Sequence, residues 1–568
     1  MSVQKTKPSG SDISIVLCGG AGQGIQTIEF ILTHVLKTAG YHVFACKEYM
    51  SRIRGGSNST LIRVASRPVG AYTDRIDLLI PLETKALEHV AGRVSGNTVI
   101  IGEKEILKTD RPLINVPFTT MAKEIGSPLY ANTIAVGVVL GLFLPDTSLL
   151  DGHLKKQFAK KGDETIQKNQ AAGRQGFDIG KQLQSDKGLV PDISRNPDHA
   201  GELLVNGSEA VGLGALAGGC NFVASYPMSP STGVLTFLSQ HAAEFGLIAE
   251  QAEDEISAVN MGIGAWYAGA RALTTTSGGG FALMSEGVSL AGMLETPMVI
   301  YLAQRPGPAT GLPTRTEQGD LDLVLYAGHG EFPRIILAPR SLEDAFYLSQ
   351  KAFNLADKYQ SPVFILSDQF LVDAMYNTPR PNPERQPNKS HVVITTADYK
   401  RYLFTDTGLS PRGIPGRGQG LVCVDSDTHD EEGHIIEDPE VRDRMTEKRF
   451  RKAAVIRRET APTAQIPDKV KNLVISWGST FFAVQEAIDR AGREDLANLH
   501  FSQVYPLPED LGAALEKAEK VVAVENNATG QFARLVHRET GRRADELVLK
   551  SNGMPFSVEE ITEKFKAL

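Results

Sequence analysis

What is scarce in this sequence narrows it first. Among 568 residues there are four cysteines, Cys18, Cys46, Cys220 and Cys423, each alone and none in a C-x-x-C pair. Four-thiolate iron–sulfur clusters and structural zinc sites draw on clustered thiols, so the chain is not expected to bind either by itself. Basic residues are outnumbered, 59 Lys and Arg against 67 Asp and Glu, for a net charge of −8. A nucleic-acid partner calls for a basic face and a high pI, and that class is set aside. Long apolar runs are missing too. The longest, IAVGVVLGLFL at 134–144, is about half of what a membrane-spanning helix needs and reads as a buried helix. The opening MSVQKTKPSGSD carries charge but no apolar core or small-residue cleavage site. No signal peptide and no membrane partner are expected, and the expected location is the cytoplasm.

What is present is α/β patterning, repeated. The length suggests three or four domains. DISIVLC runs into the glycines of GGAGQGIQT. Apolar residues at Ile28, Ile31, Leu32, Val35 and Leu36 then share one helical face, and YHVFAC follows as a strand. This first unit is expected over 1–190, closed by a linker near 186–200. A second unit, 200–377, holds FVASYPMSPST, a helix near 250–270, and the strand candidates LTTTSGG, PMVIYLA, FPRIILA and SPVFILS. Residues 378–465 open on TPRPNPERQPNKS and end in a helix candidate, 442–458, with eight basic residues. They read as a linker region whose charged helix is solvated. A third α/β unit is expected over 466–568. Strands alternating with helices argue for several parallel-sheet domains.

Several motifs could carry chemistry. GGAGQG invites a phosphate-cradling reading, but Ile25 stands where a G-x-G-x-x-G series from Gly20 needs glycine. A tight turn admitting a partner group is the better reading. Arg52 and Arg54 point the same way on an extended chain, beside Gly55 and Gly56: a surface hairpin tip, or a guanidinium offered to an anion. In YPMSPS two prolines hold Ser229 stiffly, and Ser231 is placed to cap the next helix. Glu255, Ala258, Gly262, Ala265 and Gly269 form one stripe of a helix, so Glu255 points inward and Glu253 does not. An inward carboxylate at a helix start either pairs structurally or performs proton chemistry. Arg305 ends the strand PMVIYLAQ, where its planar fork suits either a ligand carboxylate or a surface ion pair.

Taken in order, GGAGQG, EYMSRIRGG, SYPMSPST, the Glu255 helix, TTTSGGGFALMSE, RPGPATGLPTRTEQGDL, HDEEGHIIED and VENNATGQ resemble the α subunit of 2-oxoacid:ferredoxin oxidoreductases. The likeness is to the fused form, in which a γ-type domain comes first, and to the 2-oxoglutarate branch. The resemblance implies a thiamine-diphosphate pyrimidine-binding domain over 200–377 and a transketolase C-terminal-like domain over 466–568. It implies that Glu255, Tyr226 and Pro227 meet the cofactor, with Glu255 promoting loss of the thiazolium C2 proton. Arg54, Ser229 and Arg305 become substrate ligands, two guanidiniums favouring a dicarboxylate. The chain itself would bind no metal. A β subunit would hold the diphosphate, Mg2+ and a [4Fe–4S] cluster, with CoA as co-substrate, ferredoxin as electron acceptor and an (αβ)2 assembly. The expected reaction is oxidative decarboxylation of 2-oxoglutarate to succinyl-CoA, or its reverse. The same chemistry on pyruvate, branched-chain or aryl 2-oxoacids stays open, as does a non-catalytic docking subunit. Two departures stand out: Ser229 replaces the family's usual threonine, and Ser277 to Gly280 read SGGG where S-G-P-G is usual, which predicts a looser turn.

Overall fold

The computed structural model describes residues 12–20, 24–49, 56–464 and 470–568. The chain divides into two compact units, Met1–Val205 with Asp373–Arg380, and Asn206–Val372 with Pro381–Leu568.

The first unit is built on an eight-stranded sheet. Its central strand, Asp12–Gly20, is buried along nearly all of its length. It pairs in parallel with Leu78–Pro81, beyond which Val99–Gly102 and Ile114–Asn115 continue the parallel half. On its other side Ser57–Ala65 runs antiparallel to it and to His42–Glu48. The α/β class is as expected, but this sheet is mixed rather than parallel throughout. The cause is connection length: residues 49–56 between the two strands are too few for a parallel crossover, which takes a dozen or more.

The apolar run at 134–144 is a helix, Ala131–Phe143, buried from Thr133 onward. It lies against Asp163–Lys187 with backbone nearly touching backbone. A Cβ at Gly137 or Gly141 would strike the carbonyl of Gly173 or Phe177, and one at Gly176 or Gly180 that of Ile134 or Val138. Small residues at helical spacing on both partners permit that approach. No helix among the described residues is long and apolar enough to cross a membrane.

The second unit contains two sheets. The larger runs Gln503–Tyr505, Ile335–Leu337, Pro362–Asp368, Met298–Gln304, Ala272–Thr276, Phe222–Ser225, Ile248–Gln251. It is parallel except at Gln503–Tyr505, which runs antiparallel to Ile335–Leu337. Met298–Gln304 and Pro362–Asp368 are buried at every position, the pattern of strands covered on both faces. The smaller sheet, Leu496–Phe501, Asn472–Trp477, Lys520–Glu525, Glu546–Leu549, is parallel throughout. Both sheets feed one apolar core, in which Phe281, Ile300 and Phe364 join Trp477, Phe501 and Phe532. Residues 470–568 therefore share a core with the larger sheet instead of standing apart from it.

The charged segment also differs from its expectation. Asp438 caps the helix Pro439–Thr460, accepting from the backbone of Glu440 and Val441, with Pro439 in the first turn. One face of this helix is not solvated. Lys448 and Lys452, four residues apart, are buried and donate to the two oxygens of Glu295 at 2.5 and 2.6 Å. Arg401 donates to the backbone carbonyl of Glu295 at 2.7 Å. The two ammonium groups hold the Glu295 carboxyl far below the usual range although burial opposes this, and burial lowers Lys452 to about 8. Glu295 adopts φ +46°, a left-handed conformation the surrounding contacts must maintain. Hydropathy alone misreads such a helix, because a lysine buried in an ion triad and one in water look identical in sequence. Glu295→Gln, which leaves two buried ammonium groups facing a neutral amide, is expected to cost about 3–5 kcal/mol. The check is a lowered thermal midpoint in calorimetry.

Candidate active site

Four neighbouring parallel strands of the larger sheet end on one edge, and each delivers part of a site. Ligands gather at the carboxyl ends of strands in such sheets because the turns there expose backbone and side chains together. After Phe222–Ser225 comes YPMSPS, with Tyr226 39% exposed, Pro227 half-buried and Ser229 exposed. After Ile248–Gln251 comes the helix Glu255–Tyr267, capped by Asp254, which accepts from the Ser257 backbone at 2.7 Å. After Ala272–Thr276 comes the turn at Ser277, and after Met298–Gln304 comes Arg305.

Arg305 and Ser229, 76 positions apart, are in contact: Nη1 of Arg305 donates to the Ser229 carbonyl at 2.7 Å. The contact is to the backbone, so the arginine fixes the YPMSPS turn whatever side chain stands at 229. Ser231 does not cap the helix Thr232–Gln240; its hydroxyl turns back and donates to the Met228 carbonyl at 2.8 Å. Arg54 lies outside the described residues, as does Arg52.

Glu255 points inward as the helical stripe predicts. It is 3% exposed, while Glu253 is exposed. Gly269 leaves the stripe, since the helix ends at Tyr267 and Gly269 takes φ +96° beyond it. The Glu255 Oε1 atom is buried with no hydrogen-bond partner among the described residues. Burial raises its pKa, and nearby Asp254 adds to the rise. A buried carboxyl oxygen left without a partner costs free energy, so its retention points to a ligand group that completes it.

The glycine turn is tighter than its composition predicts. Ser277, Gly278 and Gly280 are buried. A Cβ at Gly280 would collide with Glu255 Oε1 and the Thr276 hydroxyl, and one at Gly278 with the carboxyl of Asp320. The glycines here make room for two acids. Asp320 Oδ2 and Ser277 Oγ are, like Glu255 Oε1, sealed from solvent and without a partner among the described residues. Sequence reasoning missed Asp320 and Ser277, although both fall in segments it singled out. Nothing in the spacing shows that residue 320 returns to the turn at 278.

That return is held by the smaller sheet. The Gln318 backbone donates to the Asn526 carbonyl at 2.7 Å, the Asn526 backbone donates to Gln318 Oε1 at 3.0 Å, and Gln318 Nε2 donates to the Trp477 carbonyl at 2.9 Å. Asn527 Nδ2 donates to the Gln318 carbonyl at 3.1 Å. VENNATGQ is thus the clamp on the loop that follows Arg305.

A family model described as pyruvate ferredoxin/flavodoxin oxidoreductase matches residues 14–179, and one described as pyruvate flavodoxin/ferredoxin oxidoreductase, thiamine diP-bdg, matches residues 213–448. A 2-oxoacid:ferredoxin oxidoreductase subunit alpha from Sulfolobus sp is 31% identical over 97% of this chain and 96% of its own. The chain belongs to the 2-oxoacid:ferredoxin oxidoreductase family, among its alpha subunits. Within that family, the 2-oxoglutarate oxidoreductase subunit KorA of Mycobacterium tuberculosis is 28% identical over 98% of this chain and 91% of its own. The solved 2-oxoglutarate:ferredoxin oxidoreductase from Magnetococcus marinus, with 2-oxoglutarate, coenzyme A and succinyl-CoA bound, superposes with a TM-score of 0.92 at 29% identity, covering 98% of this chain and 99% of that one. Tyr226, Ser229, Glu255, Ser277, Arg305 and Asp320 lie inside the match to the thiamine-diphosphate-binding model of the oxidoreductase family, and the clamp residues Trp477, Asn526 and Asn527 lie beyond it.

Gly280→Ala tests the turn directly. The added methyl displaces the Glu255 carboxyl, and a misplacement near 1 Å within an active site costs about a hundredfold in rate. The expected outcome is a loss of turnover of that order in steady-state assays, with the far-UV spectrum unchanged.

Proposed function

We propose that this alpha subunit catalyses, with a β subunit, CoA-dependent oxidative decarboxylation of 2-oxoglutarate to succinyl-CoA and CO2, or the reverse, passing electrons to ferredoxin. The observation that carries the reading is the unpartnered Glu255 oxygen at the glycine turn. A ring nitrogen of an aminopyrimidine is a hydrogen-bonding group of the kind that oxygen lacks, and burial, by raising the Glu255 pKa, favours the protonated form that can donate to it. The residues present therefore fit thiamine diphosphate. When bound, that group supplies the nucleophilic carbon and the electron sink for decarboxylation.

The chain's own residues then divide the work. Glu255 holds a proton at the ring nitrogen. Tyr226 and Pro227 border the place where the cofactor would lie. Arg305 receives a substrate carboxylate near Ser229, and Arg54 is assigned the second one, which favours a dicarboxylate. The names of the relatives, two of which act on 2-oxoglutarate, support this choice. The diphosphate, Mg2+ and a [4Fe–4S] cluster are assigned to the β subunit and CoA to the assembled (αβ)2 complex. Supporting that division, burial pushes the thiols of Cys18 and Cys220 up to about 12 and raises Cys46 as well, which disfavours the thiolate form a cluster needs.

The test uses the assembled complex with a viologen acceptor. Glu255→Gln is expected to lower turnover by about two orders of magnitude or more while assembly persists. Near-normal turnover would remove Glu255 from the chemistry. Across a panel of 2-oxoacids, Arg54→Ala is expected to raise KM for 2-oxoglutarate well above its effect on pyruvate. Equal effects would detach Arg54 from the distal carboxylate.

A further inference from the structure

Two histidines and a glutamate gather within the first unit, and the proposed reaction uses none of them. His42 opens the strand His42–Glu48 and is buried. His199 stands in the short turn Pro197–Gly201, and Glu202 directly follows that turn. One nitrogen or oxygen of ligand type from each of the three lies within 4.8 Å of the other two. The rings of His42 and His199 have centroids 4.2 Å apart. Nδ1 of His199 is 2.9 Å from Oε1 of Glu202. Asn377, on the strand Met375–Thr378, completes the group. Its Nδ2 donates to Oε2 of Glu202 at 2.5 Å and lies 3.3 Å from Nδ1 of His42, while its Oδ1 accepts from the Val43 backbone at 2.8 Å.

The backbone holds these groups in place independently of their own side chains. The Asn196 N–H donates to the Gly40 carbonyl at 2.8 Å, and Nζ of Lys37 donates to the Ala200 carbonyl at 2.7 Å. Gly40, at φ +94°, lets the Asn196 carbonyl approach where a Cβ would stand. Among the described residues Glu202 pairs with no lysine or arginine; its partners are His199 and Asn377. A carboxylate whose side chain is only 16% exposed thus has no permanent cation beside it, and two imidazoles stand where one would be.

We infer that His42, His199 and Glu202 bind a divalent transition-metal ion of the zinc class. Two imidazoles and one carboxylate are a set that zinc takes with a fourth position left for water, whereas magnesium and calcium are held by oxygens. Tetrahedral ligands about 2.0–2.2 Å from zinc lie about 3.4 Å from one another, so atoms already within 4.8 Å need small side-chain movements only. His199 then carries its ring proton on Nε2 and gives the Nδ1 lone pair to the ion in place of its hydrogen bond to Glu202. Asn377 keeps its bond to Oε2, the kind of outer hydrogen bond that orients a ligating carboxylate. The bound ion ties residues 196–202 to the strand His42–Glu48. The scarcity of thiols, from which no metal was expected, does not bear on a site of this kind, because imidazoles from two distant segments leave no fixed spacing in the sequence.

The test counts metal on the assembled complex and does not depend on turnover. Complex stripped with EDTA and dialysed is titrated with zinc sulfate by calorimetry, and bound zinc is measured by mass spectrometry after gel filtration. The wild type is expected to hold about one zinc per alpha chain that His199→Gln and Glu202→Gln both lose. Glu202→Gln keeps an oxygen for Asn377, so it serves if His199→Gln does not fold. Zinc is also expected to raise the thermal midpoint of the wild type and to leave that of His199→Gln unchanged. The exposed group Asp430, Glu432 and His434 is the competing place for a cation, and His434→Gln is expected to keep the zinc. Zinc retained in both His199→Gln and Glu202→Gln, or lost in His434→Gln instead, overturns the proposal. A wild type that takes up no zinc does so as well, and leaves His199 and Glu202 as a plain ion pair.

Discussion

Two carboxyl groups pressed against a glycine turn set the terms for the rest of the site. Glu255 reaches the turn from a helix start, Asp320 from the end of a long loop, and each occupies space that a Cβ at Gly280 or Gly278 would take. Neither has a full set of partners among the described residues. Burial raises the pKa of both acids, which favours their protonated forms relative to a carboxyl in water.

Holding that arrangement takes more than the sheet that bears it. The loop after Arg305 has no regular structure until Leu321–Tyr326, and its backbone polar groups need partners. The smaller sheet supplies them at Gln318, through Asn526, Asn527 and Trp477. Its own turn is fixed by Glu525, fully buried and accepting from the backbone of Phe532 and Ala533, from Asn527 and from Trp477. Burial raises the Glu525 pKa while these donors lower it. The Glu295 triad does similar work elsewhere in the second unit, drawing the helix Pro439–Thr460 and Arg401 to one buried corner.

Local chemistry was legible in the sequence and long-range closure was not. The strand and helix runs were readable because burial on both faces writes continuous apolar segments, and the small-residue stripe beside Glu255 correctly set its inward direction. The approach of Arg305 to the Ser229 turn follows from strand order, since two strand ends separated by one other in a parallel sheet bring their loops to the same edge. The return of Asp320 to Gly278 depends on tertiary hydrogen bonds that no periodicity encodes. The same holds for the lysines of the helix Pro439–Thr460, whose burial depends on Glu295 some 150 positions earlier. The mixed first sheet was readable in principle, because connection length alone forbids the parallel alternative there.

The SGGG turn shows how composition misleads when its surroundings are unknown. Three successive glycines in an isolated peptide would be loose, and replacing one with proline would be expected to stiffen the turn. Here freedom is already spent, since Gly278 and Gly280 are buried against carboxyl groups and only Gly279 faces outward. The absence of side chains at 278 and 280 is a steric requirement of the acids. At 279, where no such demand exists, other residues are sterically admissible. The family difference at this turn therefore falls on the position that the two acids leave unconstrained.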